Sequence, residues 1–303
     1  MKEKTIKAVL TKKFNHWLES IEDIAVRKAV KDNTIITGGC FVSFILNESP
    51  NDYDVYFRTK DVALAVARYY CKQFNTEHPN GPKAEARIGK RDNERVKVFI
   101  QSHGVAGDIN VTGERTGDES DDKAAQRKIE ESMNDKPVED EKPKKKYRPV
   151  FLSTNAITLS DSVQLVVRFY GEPSDIHDTY DFEQTKAYWT SWDKKVVIPG
   201  SVYEAVANKS LAYTGSKYPL CSLFRIRKFI KRGWNINAGQ ILKIAFQLSK
   251  LDLTDIDVLE DQLIGVDSTY FMNLIEQLRK AKEKDSKFEL TQGYLVSIID
   301  KIF

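Results

Sequence analysis

The sequence predicts an α+β protein: a mixed sheet with covering helices, followed by an all-helical C-terminal domain. Three observations predict it. Short β-rich runs alternate with helix-period segments as far as about residue 198. From about Ser201 onward the apolar spacing is helical, broken only by turn signals near residues 215–219, 233–239 and 265–268. Between them, residues 112–148 are dominated by Asp, Glu, Lys and Arg and carry almost no large apolar side chains, so they cannot bury enough surface to offset their ordering entropy. The expected division is an α/β domain over 1–198, interrupted by a disordered charged insertion at 112–148, and a helical domain over 199–303.

The elements follow in order. Ile6, Val9, Leu10, Phe14, Leu18, Ile21 and Ile24 recur at helical spacing and predict a helix or helix pair over 5–31. Residues 34–37 form a short buried strand, 41–46 a compact helix and 51–58 a second strand. A helix over 61–74 has Asp61 as its expected N-cap. Further strands are expected at 95–101 and near 108–111, and 124–133 has the pattern of a transient exposed helix. The run Lys144-Lys145-Lys146-Tyr147-Arg148 ends the insertion with basic charge. The apolar run 163–170 is a strong strand ending at Gly171, followed by a turn at Pro173, the segment 180–182, and a further segment over 186–192.

Composition narrows the class. A chain of 303 residues with 41% hydrophobic and 30% charged residues can bury a sizeable core. No apolar stretch approaches the roughly 18 residues needed to span a bilayer, so no membrane partner is expected. The N-terminus lacks the apolar core of a signal peptide. Three scattered cysteines fit reduced thiols in a cytoplasm, and four isolated histidines argue against zinc. A net charge of +3 does not announce nucleic acid, so any basic surface must be local.

Chemistry concentrates in residues 35–57. An apolar strand ends in Gly38-Gly39, a short helix follows, and Asp52 and Asp54 stand two apart in the next strand. Side chains alternate along a strand, so the two acids share one face while Tyr53, Val55 and Phe57 take the other. Adjacent carboxylates repel unless a cation lies between them, and oxygen ligands of this kind suit Mg²⁺ held together with substrate phosphates. The glycines let backbone approach a triphosphate just before a helix N-terminus. The pattern reads as a nucleotide-and-magnesium site.

The strand, Gly-Gly, helix, Asp-x-Asp order resembles the DNA polymerase beta nucleotidyltransferase superfamily, and most nearly the head of CCA-adding tRNA nucleotidyltransferases and bacterial poly(A) polymerases. The matching residues are Gly38, Gly39, Asp52 and Asp54. The resemblance implies that the acids bind two magnesium ions, which position an NTP for attack by a 3′ hydroxyl. It gives Gly38, Gly39 and Ser43 a phosphate-contact role. Where the cellular members carry a basic residue and an acid after Gly-Gly, this chain has Phe41-Val42-Ser43-Phe44. Residues 219–234 resemble the neck helix of the CCA-adding enzymes, and 203–211, with Lys209, the segment before it. On that helix Arg225, Lys228 and Arg232 fall on one side, with Leu223, Ile226 and Ile230 toward the core, and such a row suits triphosphate or RNA backbone. Lys209, Lys231 and Arg232 are the residues expected at RNA. The acid-and-arginine motif by which those enzymes recognise the base has no equivalent. The wider likeness is to phage-encoded members, which implies a host cytoplasm.

Many superfamily members carry a third carboxylate on a later strand. Asp181 is the candidate here, as catalytic residue and metal ligand, with Asp108 and Asp178 as competitors. Asp181 with Gln184 also has capping-box spacing. Arg168, on the strand before, is placed to reach a phosphate, and His177 has the setting of a turn residue. A P-loop, a nucleophile elbow and a zinc-deaminase pattern are all missing. The expected function is Mg²⁺-dependent addition of a nucleotide from an NTP to an RNA 3′ end, with tRNA among the acceptors. Its rivals are nucleotidylation of a protein or small molecule, and a catalytically silent fold that binds nucleic acid or protein.

Overall fold

In the computed structural model of the chain, the described residues are 1–89, 95–101, 146–263, 269–284 and 289–302. The strand expected near 108–111, most of the charged insertion with its 124–133 helix, Lys144 and Lys145, and the turn at 265–268 lie outside them. The chain divides into two compact units, the larger made of Met1–His103, Lys146–Leu251 and Asp261–Ser268.

The larger unit opens with a helix pair, α1 (Glu3–Ser20) and α2 (Ile24–Asn33). Ile6, Leu10, Phe14 and Trp17 give α1 one buried stripe, and Asp23 caps α2 by accepting from the Ala25 and Val26 amides at 2.8 and 3.0 Å. Next come β1 (Thr34–Thr37), α3 (Gly39–Ile45), β2 (Tyr53–Phe57) and α4 (Lys60–Glu77). The N-cap of α4 is Thr59, which accepts from the Val62 amide; Asp61 instead sits in the first turn, where a carboxylate still favours a helix N-terminus. A two-stranded sheet, β3 (Lys83–Ile88) with β4 (Val96–Gln101), packs on α4. Strand β3 escaped the sequence pattern because its buried positions, Ala84 and Ala86, are small and poor strand formers.

The main sheet continues with β5 (Pro149–Leu152), β6 (Ala156–Leu159) and β7 (Val163–Tyr170). Tyr147, at the end of the stretch read as a disordered insertion, is instead buried beside Lys13 and belongs to the core. Pro173 begins a helix, α5 (Pro173–His177), and a 3-10 turn (Glu183–Thr185) leads to β8 (Tyr188–Thr190) and β9 (Val196–Val197). The seven strands lie in the order β5-β6-β7-β2-β1-β8-β9. All neighbours are antiparallel except β2 and β7, which makes the sheet mixed. Helices α6 (Gly200–Ala207), α7 (Pro219–Lys231) and α8 (Ala238–Leu248) follow, then α9 (Ile256–Leu263). Of the apolar residues expected to face the core from α7, Ile226 does so, whereas Leu223 and Ile230 are 36% and 52% exposed. The buried residues of the helix are instead concentrated in its first turn, Pro219, Leu220, Cys221 and Ser222, with Ile226 beyond them.

Each face of the sheet has its own apolar cluster. Ile36, Val55, Phe57, Leu165 and Val167 join α1, α2 and α4 in the main core. On the opposite face Ile35, Tyr56 and Ile176 form a small separate cluster. The register pairs Ile36 with Val55 and Ile35 with Tyr56, so the alternation of β1 matches that of β2. Asp54, the acid of β2, therefore falls on the thinly covered face.

The smaller unit contains α10 (Thr269–Lys284) and α11 (Gln292–Ile302), with Ile275, Leu278 and Leu295 buried. Arg279 donates to Asp257 and to Glu260 at 2.5 Å each. Among the described residues no helix is long and apolar enough to cross a membrane.

Candidate functional site

The site is built where β1 ends and β2 begins. Thr37 pairs with Asp54 across the strands, and the chain then turns sharply at Gly38. Gly38 has φ +90°, and a Cβ there would stand 2.6 Å from Asp54 Oδ2. Two independent constraints thus require glycine: left-handed backbone and a carboxylate pressed against the turn. Gly39 is different. It opens α3 at negative φ, and a Cβ would meet nothing within 4 Å. Its contribution is open space at an exposed stretch of backbone.

Asp52 is exposed just ahead of β2, while Asp54 is half-buried within it. Burial and then the charge of Asp52 push the Asp54 carboxyl up to about 7, with Arg225 opposing. Beneath them Cys40 is buried, and burial together with the charges of Asp54 and Asp52 raises its thiol well above the ordinary range. Burial and the Asp54 charge likewise push the Tyr56 phenol up. The turn is braced from behind by His177. Thr37 donates its hydroxyl to the Ala187 carbonyl at 2.7 Å and stands 2.9 Å from His177 Nε2, an arrangement that suits a neutral ring donating N–H. Burial and Lys186 push His177 down to about 4, so the ring stays neutral.

Gly38, Gly39, Asp52, Asp54 and Tyr56 line a cavity of about 470 Å³. To the same lining α7 contributes Arg225 and Lys228, and its C-cap Arg232 joins them. Of the sequence-predicted residues, the cavity brings together Gly38, Gly39, Asp52, Asp54, Asp181, Arg168, Arg225, Lys228 and Arg232. Three stand apart from its lining: Ser43 is half-buried on α3, and Lys209 and Lys231 are exposed.

Asp181 is 6% exposed and accepts from Arg225 Nη1 at 2.5 Å, so it anchors the basic row. It does not cap the 3-10 turn, whose N-cap is Phe182. Of its competitors, Asp178 is exposed at the end of α5, and Asp108 lies outside the described residues. The strand parallel to β2 places Gln164 opposite Asp54 and gives the cavity Gln164, Val166 and Arg168, with no acid among them. Among the described residues no group of three or more His, Cys, Asp or Glu side chains is placed to hold a metal ion. The pair Asp52 and Asp54 nevertheless fits Mg²⁺, which needs only one or two carboxylates when phosphate and water complete its shell.

Sequence reasoning missed several members of the cavity. Asn155, Phe169, Tyr180, Ser216 and Tyr218 line it, yet none carries a motif. A bulge in β7 accounts for Phe169. Val55 pairs with Leu165 and Phe57 with Tyr170, so four β7 residues stand opposite Tyr56 alone.

A family model described as "Gad2: Gabija anti-defense 2 family protein" matches residues 8–209. A search of curated proteins returned no significant match. Among solved structures, the Bacillus stearothermophilus CCA-adding enzyme in complex with CTP is similar at 10% identity and TM-score 0.38, covering 82% of this chain and 48% of that one. The Thermotoga maritima CCA-adding enzyme complexed with tRNA is similar at 11% identity and TM-score 0.38, covering 92% and 57%. An apo CCA-adding enzyme gives 13% identity, TM-score 0.36, and coverage of 91% and 56%. The chain spans about half the length of these enzymes.

Proposed function

The chain belongs to the Gabija anti-defense 2 family, and on that premise we propose that it acts as a Mg²⁺-dependent nucleotidyltransferase in countering Gabija defence, moving a nucleotide from an NTP to an RNA 3′ end. The observation that carries the reading is the pressed contact of Asp54 on Gly38, in a cavity that basic side chains also line. A half-buried carboxylate beside a second acid costs stability unless a cation is their normal companion. Asp52 and Asp54 would hold Mg²⁺, and the ion would supply charge stabilisation to the attacking and leaving oxygens.

The rest falls to the chain. Gly39, exposed and with open space at its Cβ position, would let a phosphate approach the backbone, and Gly38 supplies the turn before it. Arg225, held in place by Asp181, together with Lys228 and Arg232, would take the negative charge of the triphosphate and of the departing pyrophosphate. Exposed Lys209 and Lys231 would meet RNA beyond its reacting end, with tRNA among the acceptors.

The test is incubation with labelled NTPs, Mg²⁺ and total RNA. Labelled RNA that disappears in an Asp52→Ala/Asp54→Ala protein supports the reading, and persistence of label in that variant defeats it. Label on a protein or metabolite alone moves the acceptor to the second class of substrate.

One observation favours a silent binding module: no acid faces Asp54 from β7, and Asp181 is engaged with Arg225. That reading predicts RNA binding indifferent to NTP and metal. Mg²⁺-dependent NTP binding by calorimetry counts against it.

A further inference from the structure

A second basic group, separate from the α7 row, stands at the cavity: Arg168 lines it and Arg95 lies beside that lining. Arg168, only 2% exposed, donates to Asn155 Oδ1 at 3.0 Å and to the Tyr218 hydroxyl at 3.4 Å. Arg95 donates to the same hydroxyl, also at 3.4 Å. Two guanidinium groups are therefore neighbours around one neutral oxygen. Both also lie near the ring of Phe169, at 5.1 Å for Arg95 and 5.8 Å for Arg168. Consecutive strand residues ordinarily point to opposite faces, but the β7 bulge lets Arg168 and Phe169 line the cavity together. The bulge stands opposite Tyr56, two residues along β2 from Asp54, which is about 7 Å on the same face.

We propose that this cluster is the acceptor subsite and that its ligand is the terminal stretch of a single-stranded nucleic acid. The proposal rests on the nucleotidyl-transfer reading for the placement of the reacting end beside Asp54. A reaction between two phosphate-bearing substrates needs two places for negative charge. The α7 row serves the donor triphosphate, and the bulge serves the acceptor backbone. Paired cations attract a phosphodiester, and the half-buried rings of Phe169 and Tyr218 beside them supply aromatic surface against which a base of any identity can pack. An acidic protein segment would satisfy the arginines and leave the rings unused.

The experiment measures binding without turnover: fluorescence anisotropy of a fluorescein-labelled, short single-stranded oligoribonucleotide, with no NTP present. Arg95→Gln and Phe169→Ala are each expected to weaken binding about tenfold, the loss of one phosphate contact or one stack. Their affinity for NTP with Mg²⁺, read by calorimetry, is expected to stay within about twofold of the parent. Arg95 is half-buried at the surface, so its variant tests the idea even if Phe169→Ala melts early. The proposal is overturned if Arg95→Gln binds the oligonucleotide as the parent does, or if its NTP affinity falls in step. It is also overturned if a polyglutamate peptide binds and the oligonucleotide does not. Failure of the transfer reading looks different: oligonucleotide binding stays sensitive to Arg95, yet no RNA is labelled.

Discussion

The two faces of β2 are made from five consecutive residues and obey opposite rules. Toward the helices, Val55 and Phe57 are almost fully buried in the main core. Toward the cavity, Asp54 keeps a carboxyl raised to about 7 beside Asp52, and Tyr56 sits in a cluster of only three buried residues. One face contributes stability through apolar burial, and the other holds charge at a cost. Strand β2 can carry the site because its other face is anchored strongly enough to tolerate a destabilised one.

The largest test of that contrast removes the charge. Asp54→Asn should lower nucleotide incorporation about 10³-fold, the scale of a lost metal ligand's transition-state stabilisation. It should also leave the metal-free protein as stable as the parent or more so. A raised carboxyl favours the folded state while it is protonated, so the parent loses stability as pH rises from the ordinary carboxylate range through about 7. In thermal melts without Mg²⁺ that decline should be absent from Asp54→Asn. A variant that melts lower than the parent at pH 8 contradicts the destabilised-face account.

Phe57→Ala works on the anchoring face and should cost about 3–5 kcal/mol in denaturant unfolding, since the ring is wholly buried. Loss of under about 1 kcal/mol would show that the core face is not what secures the strand. Gly38→Ala should cost about 1–3 kcal/mol from left-handed strain, with further loss from the contact on Asp54. Gly39→Ala is the contrasting variant: stability within about 1 kcal/mol, with weaker NTP binding because the new methyl occupies the open space. Equal stability loss at both glycines would erase the distinction drawn between them.

The smallest effect concerns the brace behind the turn. His177 is depressed to about 4, so its stabilising contribution is present above the ordinary imidazole range and is lost as pH falls through about 4. His177→Gln should flatten the acid side of the stability profile between those limits. An unchanged acid limb would remove His177 from the brace.

Several features were legible in the residues themselves. The Gly-Gly turn and the Asp-x-Asp spacing were readable because the turn demands a residue without Cβ and a strand has period 2. Most elements were readable as well, since α1 and β7 have long, unambiguous apolar patterns. Elements with small or short apolar runs were not, β3 with its alanines and the four-residue β5 and β6 among them. Asp181 shows a different limit. Its sequence neighbourhood fitted a metal ligand or a cap, and its partner, Arg225, lies 44 residues away.

By itself the sequence determined which face of β2 carries acid, because alternation is local and needs no partner. It also determined that a helix near the chain's last third would carry Arg225, Lys228 and Arg232 on one side, because helical spacing is equally local. Only the tertiary structure decided that this row shares a cavity with Asp52 and Asp54, and that Asp181 fastens it there. It alone decided that a bulge in β7 turns Arg168 and Phe169 to the same side. The physical reason is common to all three. They depend on register and on contacts between residues distant in the chain, and no local pattern encodes which strand pairs with which, or where the pairing slips.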